Sequence, residues 1–419
     1  MTEGAPPGGS GVRSEAIGVL SRAAVGATGA FAALVAVGEL LGVLAFFLTR
    51  VYGLWSWAKI GLLTALLSLR SELLVTIHST PLLPPEAGSR TLHVRFVPML
   101  LTIAFLWLAA RAGRRSVRSG SVRSPIAAAS LAAAGAAVSV AILAAACSAL
   151  VDLSFPGLGL GLQVDPASAA VWGGALAAAA AAAGAFLAEA RDRAPAAALR
   201  GGLTAYGWAL GLLAIGVLVI ATLEPSVTRR YVDGVTGLGA GGGVLFASHV
   251  LSFPAQSALL LVPASGSCVE ILSEGSIYGL CPWRLAASGP GGEALLPDRI
   301  PLSPWFWFLC MVPFVAALLG GRRAAIGVTG AGRAIGLGVA AGSLLALLTL
   351  LGAWLVAPRW FTTPVLVPDL IPLSHITVRL NWGRTMVTAL AWGVVGGGLG
   401  AWLATRAYAE PELPRPTSA

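Results

Sequence analysis

The stretch FVPMLLTIAFLWLAARAGRR, Phe96–Arg115, decides how this chain is read, because it returns later as WFLCMVPFVAALLGGRR, Trp307–Arg323. Each copy opens on apolar residues and proline and closes on Gly-Arg-Arg (Gly113-Arg114-Arg115 and Gly321-Arg322-Arg323). A second echo follows, GAFLAEAR (Gly184–Arg191) and GAWLATRA (Gly400–Ala407). The separations, 208 and 216 residues, are about half the chain. Solenoid repeats are far shorter, roughly 20–50 residues. The echoes therefore imply a duplicated membrane bundle, and repeats of that kind recur in transporter folds.

Composition places the chain in a bilayer. Apolar residues make up 57% of it, charged residues 11%, and the mean hydropathy is +0.83. A water-soluble domain carries about a quarter of its residues as charges. The formal charge of +9 rests almost wholly on arginine, with Lys59 the sole lysine. These arginines sit in short clusters between apolar runs, where positive charge reports topology. Nucleic acid is excluded as a partner on that ground. The Ala/Gly/Arg-rich, lysine-poor composition is associated with GC-rich bacterial genomes.

A spanning helix needs about 20 mostly apolar residues. Eight segments qualify: 24–48, 94–110, 126–151, 168–190, 202–222, 304–320, 334–357 and 385–405. The first is too long for the h-region of a signal peptide and reads as a retained span. Two further apolar stretches, 53–77 and 236–264, are ambiguous, and charge arbitrates. With neither crossing, both termini are cytoplasmic, and the inner side holds 15 basic residues against six acids. The outer side then holds 12 against 11, with Glu39 left in the membrane. If 53–77 crossed alone, the five-arginine loop 111–123 would move outside, against the positive-inside rule.

The expected fold is all-α, a bundle of about eight transmembrane helices forming two parallel four-helix repeats with outer interfacial or re-entrant segments. Residues 13–200 form the first repeat and 201–408 the second, with an outer segment at 223–303. The tails 1–12 and 409–419 read as disordered. In 53–77, Lys59 and Arg70 are three helical turns apart and would share one face of an interfacial helix, with Trp55 and Trp57 at headgroup depth. In 236–264, Pro254 and Pro263 leave pieces of ten residues or fewer, too short to cross. That stretch reads either as a re-entrant segment, with His249, Pro254 and Gln256 as its polar or breaking residues, or as a helix lying on the outer surface.

Few residues carry chemistry. Glu39 is the sole acid well inside an expected span, and intramembrane carboxylates are functional candidates for proton or ion sites. Its partner would be Arg70 or His249; the bland alternative is a carboxyl bonded to a neighbouring helix. Cys268 and Cys281, thirteen apart in the outer segment, suit a disulfide on an oxidising face, or remain free thiols. Cys147 and Cys310 fall in spans as packing residues. There is no CxxC, and His78, His93, His249 and His375 lack metal-ligand spacing, so no metal or cofactor is implied. Acids, histidines and arginines in the outer segments (Glu86, His93, Arg95, Glu270 among them) have no spacing that marks a catalytic site.

His78-Ser79-Thr80-Pro81-Leu82, then Phe96-Val97-Pro98-Met99-Leu100-Leu101, ending at Arg111-Ala112-Gly113-Arg114-Arg115, resembles a large actinobacterial family of multi-pass membrane proteins. These carry a domain of unknown function, and some are labelled as cell-division-associated. The resemblance covers roughly 20–406. It implies a bacterial plasma membrane and an envelope role, and it carries over no functional residues. Two functions stay open: a transporter or translocator of a small or envelope-related substrate, or a non-transporting scaffold that binds membrane-protein partners.

Overall fold

The structure, a computed structural model, describes residues 9–49, 53–77, 90–95, 97–117, 124–155, 160–190, 193–223, 229, 233, 240–267, 269–273, 276–280, 285–288, 306–357, 359–362 and 375–408. The chain is mostly helical. The first half runs α1 (Gly9–Thr49), α2 (Leu54–Leu67), β1 (Leu73–Ile77), β2 (Arg90–Arg95), α3 (Met99–Ser116), α4 (Pro125–Ser148), β3 (Asp152–Phe155), β4 (Leu160–Val164) and α5 (Pro166–Glu189). The second runs α6 (Ala194–Leu223), α7 (Ala240–Ala264), β5 (Val269–Ser273), β6 (Ser276–Leu280), β7 (Leu285–Ser288), α8 (Phe306–Leu309), α9 (Val312–Ala325), α10 (Ala331–Val356), β8 (Arg359–Thr362), β9 (His375–Leu380) and α11 (Trp382–Tyr408). Apart from β7 and the one-turn α8, the order of elements is the same.

Six described helices are long and apolar enough to cross a bilayer: 14–47 of α1, then α4, α5, α6, α10 and 382–407 of α11. Eight were expected from sequence. The stretches at 94–110 and 304–320 yield helices that miss this standard for local reasons, the first through its arginines and the second through its length. Val94 and Arg95 belong to β2, so α3 begins only at Met99 and spends its last turn on Arg114 and Arg115. Helix α9 has 14 residues, about 21 Å at the α-helical rise, against a hydrocarbon core of about 30 Å.

The ambiguous stretches need correction. Helix α2 ends at Leu67, and Arg70 lies beyond it with a positive φ of 62°, so Lys59 and Arg70 do not share a helical face. Trp57 is buried while Trp55 is 75% exposed. Pro254 does not break 236–264: α7 runs unbroken through it for 25 residues. An internal proline removes one backbone hydrogen bond, and a helix surrounded by other helices tolerates that loss. Pro254 is half-buried, Gln256 is exposed, and His249 lies in α7 with its side chain outside the described residues. Cys268 and Cys281 also lie outside the described residues. Cys147 and Cys310 are half-buried thiols.

The element absent from the all-α expectation is a nine-stranded antiparallel sheet, ordered β3-β4-β1-β2-β8-β9-β5-β6-β7. Its left four strands come from the first half and the rest from the second, so one sheet crosses the boundary at the β2–β8 ladder. All strands lie at the helix ends remote from the Gly-Arg-Arg knots. The bundle thus has a sheet end and an arginine end.

Glycine sets the helix spacing. A Cβ added at Gly113 would run into the Ala181 carbonyl, and one at Gly184 into the Ala110 carbonyl, so α3 and α5 touch backbone to backbone. In the second half Gly321 meets the Gly397 carbonyl and Gly400 the Leu318 carbonyl. These are the same four positions shifted by 208 on one helix and 216 on the other. Small residues at such crossings let dispersion act where hydrophobic burial offers no drive between helices. The echoed strings are therefore the two faces of one contact, made once in each half.

Candidate functional site

The two halves meet at a seam with a polar feature at each end. At the sheet end the centre is Arg70, 3% exposed in a tight turn between α2 and β1. Its Nε donates to the Leu355 carbonyl and its Nη2 to the Trp354 carbonyl, each at 3.1 Å. Both acceptors belong to the last turn of α10, whose carbonyls have no intrahelical donor and carry the negative end of the helix dipole. The guanidinium carbon also lies 4.0 Å from the ring centroids of Trp172 (α5) and Trp354 (α10), two rings that meet edge-to-face. A cation between two indoles, capping a helix of the other half, forms a latch across the seam.

Beside the latch, Glu72 binds two residues of β2. His93 Nδ1 lies 2.5 Å from Oε1, and Arg95 Nη2 donates to Oε2 at 2.8 Å. Burial pushes the Glu72 carboxyl up, but hydrogen bonds and charge from Arg95 and His93 outweigh it and hold it below the usual carboxylate range. The Glu72 N–H donates to Ser168 Oγ at 3.1 Å, and its carbonyl accepts from the Asp165 N–H at 3.0 Å, tying β1 to the start of α5. Asp165 caps α5 through the Ser168 N–H at 2.8 Å. Asn381 does the same for α11 through the Arg384 N–H at 3.1 Å, 216 residues on.

At the arginine end, α3 and α5 of the first half and α6 and α9 of the second line an open-sided cavity of about 930 Å³. Arg111, Arg114 and Arg115 enter it from α3, Arg200 from α6 and Arg323 from α9, with Trp107 forming part of the wall. Arg111 packs 5.4 Å over the Trp107 ring. Arg22 of α1 donates to the Ser116 carbonyl at 2.9 Å and caps α3.

The remaining sequence candidates stand apart from these features. Glu39 is half-buried in α1, next to the crossing where Gly38 meets Gly61 of α2, with no hydrogen-bond or ion-pair partner among the described residues. Its proposed partner Arg70 is engaged with α10. The offset that places Gly26 against Ala112 and Ala205 against Gly320 puts Leu218 at the position of Glu39 in the second half. Among the described residues no group of His, Cys, Asp and Glu could hold a metal ion. Sequence reasoning did not single out the Arg70 latch or the convergence of five arginines. Both join residues at least 80 positions apart, and only a cation at the end of an apolar stretch hinted at the first.

No family model, curated protein or solved structure matches this chain.

Proposed function

We propose that this protein is a non-transporting scaffold of a bacterial plasma membrane, built as two parallel four-helix repeats with the arginine end and both termini in the cytoplasm. Its outer sheet would hold partner proteins of the cell envelope. The observation that carries this reading is the β2–β8 ladder, in which Leu92, His93, Val94 and Arg95 pair with Thr362, Phe361, Trp360 and Arg359. With the Arg70 latch beside it, the ladder stiffens the two halves at the sheet end. Alternating access in duplicated transporters rocks one repeat against the other around a central site. A continuous sheet over both repeats opposes that motion and suits a platform. Photo-crosslinkers placed in Asp152–Phe155, an edge strand of the sheet, should capture one constant membrane partner in cells. Purified protein in vesicles should move no substrate. Capture of a scatter of unrelated proteins would sink the platform.

A second reading rests on Glu39, whose carboxyl sits mid-helix without a described partner. If the chain translocates a substrate coupled to protons, Glu39→Gln abolishes transport or its pH dependence at unchanged membrane abundance. Full activity in that variant removes the proton site. Sidedness is tested on its own by single cysteines: Thr329→Cys should label from inside only and Ser276→Cys from outside only. The reverse pattern overturns the topology and leaves the scaffold question intact.

A further inference from the structure

We infer that the arginine-lined cavity at the seam seats the phosphate headgroup of an anionic phospholipid from the adjoining leaflet. Five cations converge on it, and no carboxylate is among its described lining residues. A positive-inside distribution needs only arginines in loops, scattered over the surface. Here they project from three helices of both halves into one concave volume of about 930 Å³, large enough for a phosphodiester headgroup. Every one of the five is arginine, whose planar fork binds phosphate oxygens in pairs. The wall is apolar where it is not cationic, with Leu187, Val117 and Trp107 among its lining residues and Trp107 59% exposed. A soluble phosphate would find no use for such a wall, whereas the glycerol and upper acyl chain of a lipid would lie along it. Basic pockets between transmembrane helices at the cytoplasmic side are suited to anionic headgroups. The lipid would join α3 to α6 and α9 at the end of the seam that the sheet does not reach. This inference does not depend on whether the protein is a scaffold.

The test is native mass spectrometry of the full-length protein in detergent, titrated with phosphatidylglycerol, with phosphatidylcholine and with inorganic phosphate. Wild-type protein should retain phosphatidylglycerol in clear preference to phosphatidylcholine. Arg114→Gln with Arg323→Gln removes one arginine from each half of the cavity. The control, Arg193→Gln with Arg333→Gln, removes the same charge from a neighbouring cavity that shares only Arg200 with this one. The first pair should weaken phosphatidylglycerol binding at least about tenfold more than the control, the effect of one lost charge-assisted contact. Equal losses in both, or no lipid preference in the wild type, overturn the proposal. Tight binding of inorganic phosphate without phosphatidylglycerol also overturns it, in favour of a soluble ligand. Should the cavity variant fail to fold, brominated phosphatidylglycerol decides the matter on wild type and Trp107→Phe. Quenching that is smaller in Trp107→Phe supports the site, and identical quenching refutes it.

Discussion

The turns that lead into the sheet are alike in backbone and opposite in side chain. Between α2 and β1 the left-handed position is Arg70 at a φ of 62°; between α7 and β5 it is Gly266 at 96°. Each lies three residues before a strand whose first residue pairs in the same register, Leu73 with Val164 and Val269 with Leu380. Left-handed backbone costs a residue with a Cβ about 1–2 kcal/mol, and glycine escapes that cost. The second half takes the easy solution. The first accepts the strain because its side chain reaches across the seam to cap α10. The comparison teaches that two turns at matching places in the element order are built from opposite side chains, and that the joining of the halves is entrusted to the costlier one.

Arg70→Gly turns the first half into the second, and it should have the largest effect. The variant relieves the backbone strain but loses two charge-assisted hydrogen bonds and a buried cation between two rings. A net loss of about 3–5 kcal/mol follows from ordinary values for those contacts. Thermal unfolding in detergent would register it as a collapse of the melting temperature or of the folded yield. Stability equal to wild type would mean that Arg70 latches nothing. Arg70→Lys separates charge from geometry: a point charge cannot serve two carbonyls and stack on two rings at once, so it should recover only part of the loss.

Next in size are Gly113→Ala and Gly321→Ala, which overpack the equivalent crossings and should cost about 1–3 kcal/mol each. Their measured costs should agree within experimental error, because each new methyl meets a backbone carbonyl of the partner helix. A large inequality would show that the two halves, though alike in order, are packed differently where the sequence repeats most closely.

That crossing also shows what the sequence could disclose. Gly113, Gly184, Gly321 and Gly400 stood out as two echoed strings, and the contact that keeps them alike explains the echo. The sheet did not stand out. Leu73–Ile77 is five apolar and β-branched residues one short turn after a hydrophobic helix, so its period merges into the stretch 53–77, where short apolar runs fit helix and strand equally. Pro254 misleads in a similar way: local rules describe a helix in water, and α7 lies among other helices. The arginines were legible as a side of the membrane but not as a cavity. No spacing along the chain announces that α3, α6 and α9 converge.

Glu72 offers a smaller effect that also divides the halves, since the corresponding position holds Cys268. Its folded carboxyl is held below the usual range, so the bonds to His93 and Arg95 stabilise the fold fully above the ordinary glutamate value of about 4.3. That stability is lost as pH falls through the lowered folded value. Melting temperatures measured from pH 6 down to pH 3 should fall less steeply in Glu72→Gln than in wild type. Parallel curves would show that the cluster does not govern acid sensitivity.

The smallest expected effect tests a swap of volume between the halves. Tyr206 of α6 is half-buried, its hydroxyl is enclosed with no hydrogen-bond partner among the described residues, and it occupies the space a Cβ would need at Gly352 of α10. The corresponding positions in the first half are Ala27 and Ala144, both completely buried. One half therefore fills the site with two small residues, and the other with a large one against none. Tyr206→Phe removes a hydroxyl that makes no bond, so it should be neutral or stabilising by up to about 1 kcal/mol. Gly352→Ala should cost about 1–3 kcal/mol, because its methyl meets that oxygen. Combined, the two should cost less than their separate effects predict, since the phenyl ring frees the space the methyl takes. Strict additivity in the double variant would show that the hydroxyl is not what confines Gly352, and the large-for-small exchange between the halves would lose its explanation.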